Sequence, residues 1–225
     1  MSLDFSAAEL FDLSQSLAGS RFTELRFAWE ILTRIEALIL ELGPCLKGYE
    51  RKGEHIWVGK GTRVAPSAAI TGPAIIGCDC EIRHGAFLRG NVIIGDGAVI
   101  GNCSELKNAI LFNKTQVPHF NYVGDSVLGF AAHLGAGVIL SNVRLDKEQV
   151  AVTDSGGRRL QTGLRKFGAL IGDRTEIGCN SVLNPGTVVG RECIIYPLSL
   201  VGGVIPPRSI RKPSGELLQR PEPGR

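Results

Sequence analysis

The sequence predicts an all-β protein, a parallel β-helix with a helical segment ahead of it, and three observations carry that expectation. Large apolar residues recur every six positions: Val58, Val64, Ile70, Ile76, Ile82, Leu88, Ile94, Ile100, Leu106 and Phe112, then Leu128, Leu134 and Leu140, then Ile171, Ile177, Leu183, Val189, Ile195 and Val201. The fifth position of these units is mostly small, as in Thr62, Ala68, Cys80, Ala86, Ala98, Thr175, Ser181 and Cys193. Turn-formers fill the rest, as in Ile94-Gly95-Asp96-Gly97-Ala98-Val99. Such a period fits neither the period of about 3.6 of an α-helix nor that of about 2 of a simple strand. One large and one small inward residue per unit suits a short strand that turns a corner. Three such strands close a triangular coil of about eighteen residues, with coils about 4.8 Å apart.

Residues 1–52 stand outside the period. Ser6-Ala7-Ala8-Glu9 reads as the capping-box start of a short helix. A second helix over about 23–42 places Leu25, Trp29, Leu32, Ile35 and Ile39 on one face and stops at Gly43-Pro44. Coil ends leave strand edges unpaired, so this segment is expected as a helical cap plugging one end. Residues 53–205 are the β-helix, with a loop inserted at 143–165. Within the loop, Val150–Thr153 and Arg158–Thr162 flank Asp154-Ser155-Gly156-Gly157 as a protruding hairpin. Residues 206–225 form a mobile, basic, Pro-rich tail. Its Arg208, Arg211, Lys212, Arg220 and Arg225 against Glu216 and Glu222 account for the whole net charge of +3. The body is neutral, which excludes a nucleic-acid stripe. No apolar run reaches membrane-spanning length and no signal peptide is present, so a cytoplasmic protein is expected. Six cysteines without a CxxC pair read as reduced packing thiols, Cys80 and Cys193 inward and Cys78, Cys103 and Cys179 at corners.

The chemistry concentrates in a few positions. Arg89 and Lys107 both hold the second place of a unit and lie eighteen residues apart, so they stack one coil apart. Either these two cations fan apart into solvent, or an anion sits between them, with a phosphate the natural guest. His119 lies where the beat stops, in Pro118-His119-Phe120-Asn121-Tyr122-Val123-Gly124-Asp125. Histidine is the side chain best suited to proton transfer near neutral pH. His133 takes a free sixth position and His84 a corner, where either alone reads as ordinary surface. No Ser-His-Asp signature and no Gly-rich phosphate loop leading into a helix is present.

Ordered along the repeat are Leu88-Arg89-Gly90, Gly101-Asn102-Cys103-Ser104-Glu105-Leu106-Lys107, the 118–125 motif, Leu134-Gly135-Ala136-Gly137, Asn142, and Lys166-Phe167-Gly168-Ala169-Leu170-Ile171-Gly172. On these motifs, residues 58–205 resemble the hexapeptide-repeat, left-handed β-helix acyltransferases. They are similar to the acetyltransferase half of the bifunctional bacterial enzyme that acetylates glucosamine-1-phosphate and then uridylates it. They are still more similar to the C-terminal domain of archaeal sugar-1-phosphate nucleotidyltransferases. The resemblance implies a left-handed homotrimer that uses acetyl-CoA as co-substrate and no metal. It also implies acetylation of the amine of a hexosamine-1-phosphate for nucleotide-sugar synthesis and the cell envelope.

Carried over by position, His119 matches the general base, Arg89 and Lys107 the sugar-phosphate holders, and Tyr122 a sugar contact. Lys166 matches a basic residue closing the site, and Ala136, Asn142 and Val143 fall where the acetyl-CoA arm lies. This chain departs from the pattern at several places. His133 stands for a sugar-contacting Asn, Cys179 for a CoA-contacting Ser, and Pro197 for a CoA-contacting Ala. The late Arg for the CoA phosphate has no aligned partner; Arg211, Lys212 or Arg220 are the substitutes in reach. The nucleotidyltransferase half has no counterpart, because fifty-two helical residues cannot build it. A pyrophosphorylase label would therefore describe kinship rather than chemistry. Two alternatives stay open. One is a non-catalytic sugar-phosphate-binding scaffold or regulatory subunit, suggested by His133 and the missing Arg. The other is a trimeric zinc hydrase, which lacks the close second histidine expected after His119.

Overall fold

In the computed structural model, which describes residues 5–154 and 156–221, the repeat closes into a triangular parallel coil with three walls. Of the sequence readings, Ser155 in the hairpin and Glu222 and Arg225 in the tail lie outside the described residues. Each wall carries one column of inward side chains. The first runs Val58, Ile76, Ile94, Leu111, Leu128, Ile171, Val189, Ile205. The second runs Val64, Ile82, Ile100, Val117, Leu134, Ile177, Ile195. The third runs Ile70, Leu88, Leu106, Val123, Leu140, Leu183, Val201. Except for those at the coil's open start, these side chains are buried.

One beat of the expected period is misplaced. Leu111, not Phe112, lies in the inner column, paired with Ile94 and Leu128. The cause is a shortened corner. Between Leu88 and Ile94 the chain turns through Gly90 and Asn91, both at positive φ. In the next two coils a single residue turns it, Asn108 (φ 49°) and then Asp125 (φ 47°). Two five-residue units therefore advance the phase twice, and residues 113–127 are not a break. They form regular coil, with strands Gln116–His119 and Tyr122–Leu128. Phe112 points outward and packs on Phe11 and Phe22, with ring centroids 5.1 and 5.8 Å away.

The segment before the coil does not plug its end. It lies along the outer face of the first wall, where Ile75, Ile93, Ile110, Val127, Leu170 and Val188 are fully buried beneath Phe11, Phe22, Trp29, Ile31 and Ile35. These outward residues make the first-wall strands apolar on both faces, as in Ala74-Ile75-Ile76 and Val92-Ile93-Ile94, so this wall needs a cover more than the end does. At the open start of the coil, Val64 stays 39% exposed and Ile70 half-buried. The expected helix over 23–42 is two pieces, a 3₁₀ turn Ala28–Thr33 and an α-helix Ile35–Leu42. Phe27 is extended (φ −124°, ψ 138°) so that its ring can stack on Trp29 at 4.5 Å. Packing on a flat wall overrides the helical pattern here.

Between Asn142 and Phe167 the chain makes an excursion. Its strands Ala151–Thr153 and Arg159–Gln161 pair antiparallel, and Val150, Val152 and Phe167 join the cover of the first wall. The tail is likewise built in. Ser209–Arg211 continues the second wall and pairs antiparallel with Leu217–Gln219. Arg208 ion-pairs with Glu192 at 2.9 Å, and Arg220 donates to the Glu192 carbonyl.

Phe112→Ala is expected to cost about 3–5 kcal/mol, the usual range for emptying a fully buried aromatic site. It should also make residues 5–49 sensitive to protease while the coil persists. Chemical denaturation and limited proteolysis check this; cleavage inside the coil instead would place Phe112 in the interior after all.

Candidate active site

The expected site residues fall on two adjoining surfaces and around one corner. The corner between the second and third walls carries one residue per coil, each two positions past the second wall's inward residue. These are His84, Asn102, His119, Ala136, Cys179 and Pro197. Asn102 and His119 are paired in register, and peptide hydrogen bonds tie the turns together. The His119 carbonyl accepts from Gly137 N–H (3.0 Å), that of Ala136 from Asn180, and that of Cys179 from Leu198. The residue after each must take the left-handed conformation, as Cys103, Phe120, Asn180 and Leu198 do at φ 51–59°. His119 is exposed; its N–H donates to the buried Asn121 side chain (3.1 Å), which fixes the turn.

The third wall follows directly. Arg89 and Lys107 follow Leu88 and Leu106, which are paired in register, so the two cations do occupy successive coils. Neither is left to repel the other. Arg89 Nη1 meets Glu105 Oε1 at 2.5 Å, and Lys107 Nζ meets Asp125 Oδ2 at 3.4 Å. The Glu105 hydrogen bond and charge hold the guanidinium more firmly protonated. Tyr122 sits in the next coil, opposite Glu105. Burial, then the Asp125 charge, push its phenol above the ordinary value, so it is a hydrogen-bond donor at neutral pH. Beside it, Asn142 donates to Asp125. Gly124 leaves the room these groups need: a Cβ there would stand 2.6 Å from Tyr122 Oη and 2.7 Å from Asn142 Nδ2.

Other expected residues lie at the margins. His133 is around the corner on the outer face of the second wall, level with Gln116, and its Nδ1 lies 2.7 Å from Glu176 Oε2. Val143 and Lys166 flank the two feet of the excursion, where Phe167 N–H donates to the Asn142 carbonyl at 2.9 Å. The candidate late cations have local contacts. Arg211 donates to the Gly215 and Leu200 carbonyls, Lys212 pairs with Glu216, and Arg220 holds Glu192. The sequence missed Glu105 and Asp125 as partners, although both stand in the quoted motifs. It also missed a groove of about 510 Å³ lined by Ser141, Val143, Leu145, Val182 and Asn184. Burial pushes the Cys193 thiol up to about 11 and raises Cys80 as well, as suits packing thiols. Among the described residues no helix is long and apolar enough to cross a membrane.

Comparison with known proteins bears on what this arrangement belongs to. Residues 70–156 match the GMPPB C-terminal domain, and residues 168–203 match the bacterial transferase hexapeptide family (six repeats). A putative uncharacterized acetyltransferase of Escherichia coli, YaiX, is 35% identical over 157 residues, covering 70% of this chain and 67% of the relative. The chain belongs to the hexapeptide-repeat acyltransferase family. Its parallel β-helix is the fold that such hexapeptide repeats build. The bifunctional protein GlmU of Methanococcus vannielii is 36% identical over 133 residues, covering 59% of this chain and 32% of that protein. The bifunctional sugar-1-phosphate nucleotidylyltransferase/acetyltransferase of Sulfurisphaera tokodaii is 34% identical over 156 residues, covering 61% of this chain and 39% of that protein. The hexapeptide-repeat chain thus spans 32–39% of the length of these bifunctional relatives.

Gly124→Ala is expected to displace Tyr122 and Asn142 and to cost about 1–3 kcal/mol by overpacking. A crystal structure of the variant and its denaturation midpoint check this; both side chains unmoved at unchanged stability would show that the glycine is not required for room.

Proposed function

We propose that the protein is an acetyl-CoA-dependent N-acetyltransferase acting on the amine of a hexosamine-1-phosphate, glucosamine- or galactosamine-1-phosphate, in nucleotide-sugar synthesis. One observation supports this above the others. A solvent-facing histidine, His119, stands at the corner that opens onto a wall carrying two stacked cations, a protonated tyrosine and an amide. Relatives whose names join sugar-1-phosphate chemistry to acetyl transfer point the same way.

In this reading the sugar phosphate binds Arg89 and Lys107, and Tyr122 contacts the ring. Acetyl-CoA lies along the corner past Ala136, Cys179 and Pro197, with Asn142 and Val143 beside it and Lys166 closing the far foot. The amine nitrogen attacks the thioester carbonyl while His119 takes its proton. Backbone N–H groups hold the oxyanion of the tetrahedral intermediate. The carbon–sulfur bond then breaks, the proton passes to the leaving thiolate, and free CoA and the N-acetyl sugar phosphate remain. Assembly as a homotrimer is part of the same proposal.

A second reading, a non-catalytic sugar-phosphate-binding scaffold, is favoured by one observation: His133 is engaged with Glu176 on the second wall rather than facing Tyr122. Calorimetry showing sugar-phosphate binding without acetyl-CoA binding would select it.

Acetyl-CoA consumption with each sugar phosphate, wild type against His119→Ala, tests the first reading. Loss of the base is expected to slow turnover about 10²–10⁴-fold. Equal rates would remove His119 from the role.

A further inference from the structure

Three corner residues of successive coils, each two positions past the third wall's inward residue, form a ladder: Asn108, Asp125 and Asn142. The middle one is a carboxylate, with its side chain only 7% exposed. Its Oδ1 accepts from Asn108 Nδ2 at 2.9 Å, and its Oδ2 accepts from Asn142 Nδ2 and from Lys107 Nζ at 3.4 Å. Its backbone works in the same place, the Asp125 carbonyl accepting from Gly168 N–H at 2.8 Å. Asp125 thereby grips both feet of the excursion, the outgoing one through Asn142 and the returning one through Gly168. Gly168 has to be a glycine here, since a Cβ would strike Ser126 Oγ and the Gly124 carbonyl. At the other end of the ladder, Asn108 Nδ2 also donates to the Leu32 carbonyl of the N-terminal segment at 3.1 Å.

The corner itself does not call for a carboxylate. It calls for a left-handed residue, and Asn108 meets the same demand one coil earlier at φ 49°. What Asp adds is a charge and an acceptor-only side chain facing three donors. A buried carboxylate is tolerated when its lone pairs are filled in this way, and removing the acceptor leaves those donors competing.

We propose that Asp125 is a positioning residue that locks the acceptor-side Lys107 and the donor-side Asn142 to one another across adjacent coils. This rests on the acetyltransferase reading above. It sets the ammonium that meets the phosphate and the amide beside the acyl donor at a fixed separation, and keeps the excursion seated while both are bound.

Asp125→Asn is the test, because asparagine suits the left-handed corner and is nearly isosteric. With the full chain, kcat is expected to fall about 10–100-fold, the scale of a small misplacement of reacting groups. KM for the sugar phosphate should stay level or drop, since one negative charge near the phosphate is gone. In the Asn142→Ala background the same substitution should add little, because the two act through one contact. Without any ligand, amide exchange at Phe167 and Gly168 should accelerate while the coil interior stays protected. Wild-type kcat in Asp125→Asn, or a change confined to KM, overturns the proposal, as does unchanged exchange at Phe167 and Gly168. An inactive wild type overturns the acetyltransferase reading instead, and the exchange arm then still reads the ladder. If Asp125→Asn does not fold, Asn142→Ala alone carries the test, with the same fall in kcat and the same faster exchange expected.

Discussion

A parallel coil closes only when each inward side chain sits on its counterpart one turn earlier, because strand hydrogen bonds hold neighbouring coils about 4.8 Å apart. Everything else in this protein is arranged around that stacking. At the third-to-first-wall corner the inward columns stay in register while the turn shortens, from Gly90 and Asn91 in one coil to Asn108 alone in the next and Asp125 alone in the one after. The matched one-residue corners keep Leu106 on Val123 and Leu111 on Leu128 within one ladder of six partner pairs, interrupted only at Asn108 and Asp125. They also leave Lys107 directly before a one-residue corner, within reach of the carboxylate of the corner above. The stacking rule of the core thus dictates the spacing of the polar groups outside it.

The same rule explains why the cover lies where it does. A wall whose strands are apolar on both faces cannot be left to water; each fully buried Ile or Val contributes about 1.5–3 kcal/mol. The N-terminal segment supplies that cover and is tied down by polar contacts at its edges. Asp173 accepts from Asp12 N–H at 2.6 Å and from Phe130 N–H at 2.7 Å, and Asn113 N–H donates to the Gln15 carbonyl. Burial raises the Asp173 carboxyl above its ordinary value, against the opposing pull of these donors and of Arg191, whose Nε lies 3.6 Å from Oδ2.

How far the sequence could be read follows from these two facts. The period of six exposed the three columns because a large inward residue in every unit is what the stacking demands. It erred at Phe112 because a one-residue deletion was masked by an apolar residue on the outer face, which looked like the next beat. The doubled apolar runs at Ile75, Ile93 and Ile110 were visible and would have revealed a covered wall, and hence a cover rather than a plug. For the candidate site, spacing alone aligned Arg89 with Lys107, since register is a property of the backbone. It was silent on Glu105 and Asp125, because which side chain meets which depends on corner geometry and rotamer. His133 was readable as an outward residue, but not as one belonging to the neighbouring wall's surface and held by Glu176.

The carboxylates beside Arg89 and Lys107 do not argue against an anion between the cations; they divide the work between them. Arg89 and Glu105 are substantially exposed, and a solvated pair of this kind is weak and screened by salt. An incoming phosphate can outcompete Glu105 through bidentate hydrogen bonds, so Arg89 is free to move to its guest. Lys107 is different. Its partner is nearly buried and already holds two amides, so releasing it would strand a desolvated charge. An anion at this site would therefore meet one mobile cation and one fixed cation. In the proposed acetyltransferase reading, the fixed one would set where the sugar's far end falls relative to the His119 corner. That asymmetry follows from burial alone, and it explains why the same wall can carry two like charges one coil apart without either being a liability to the fold.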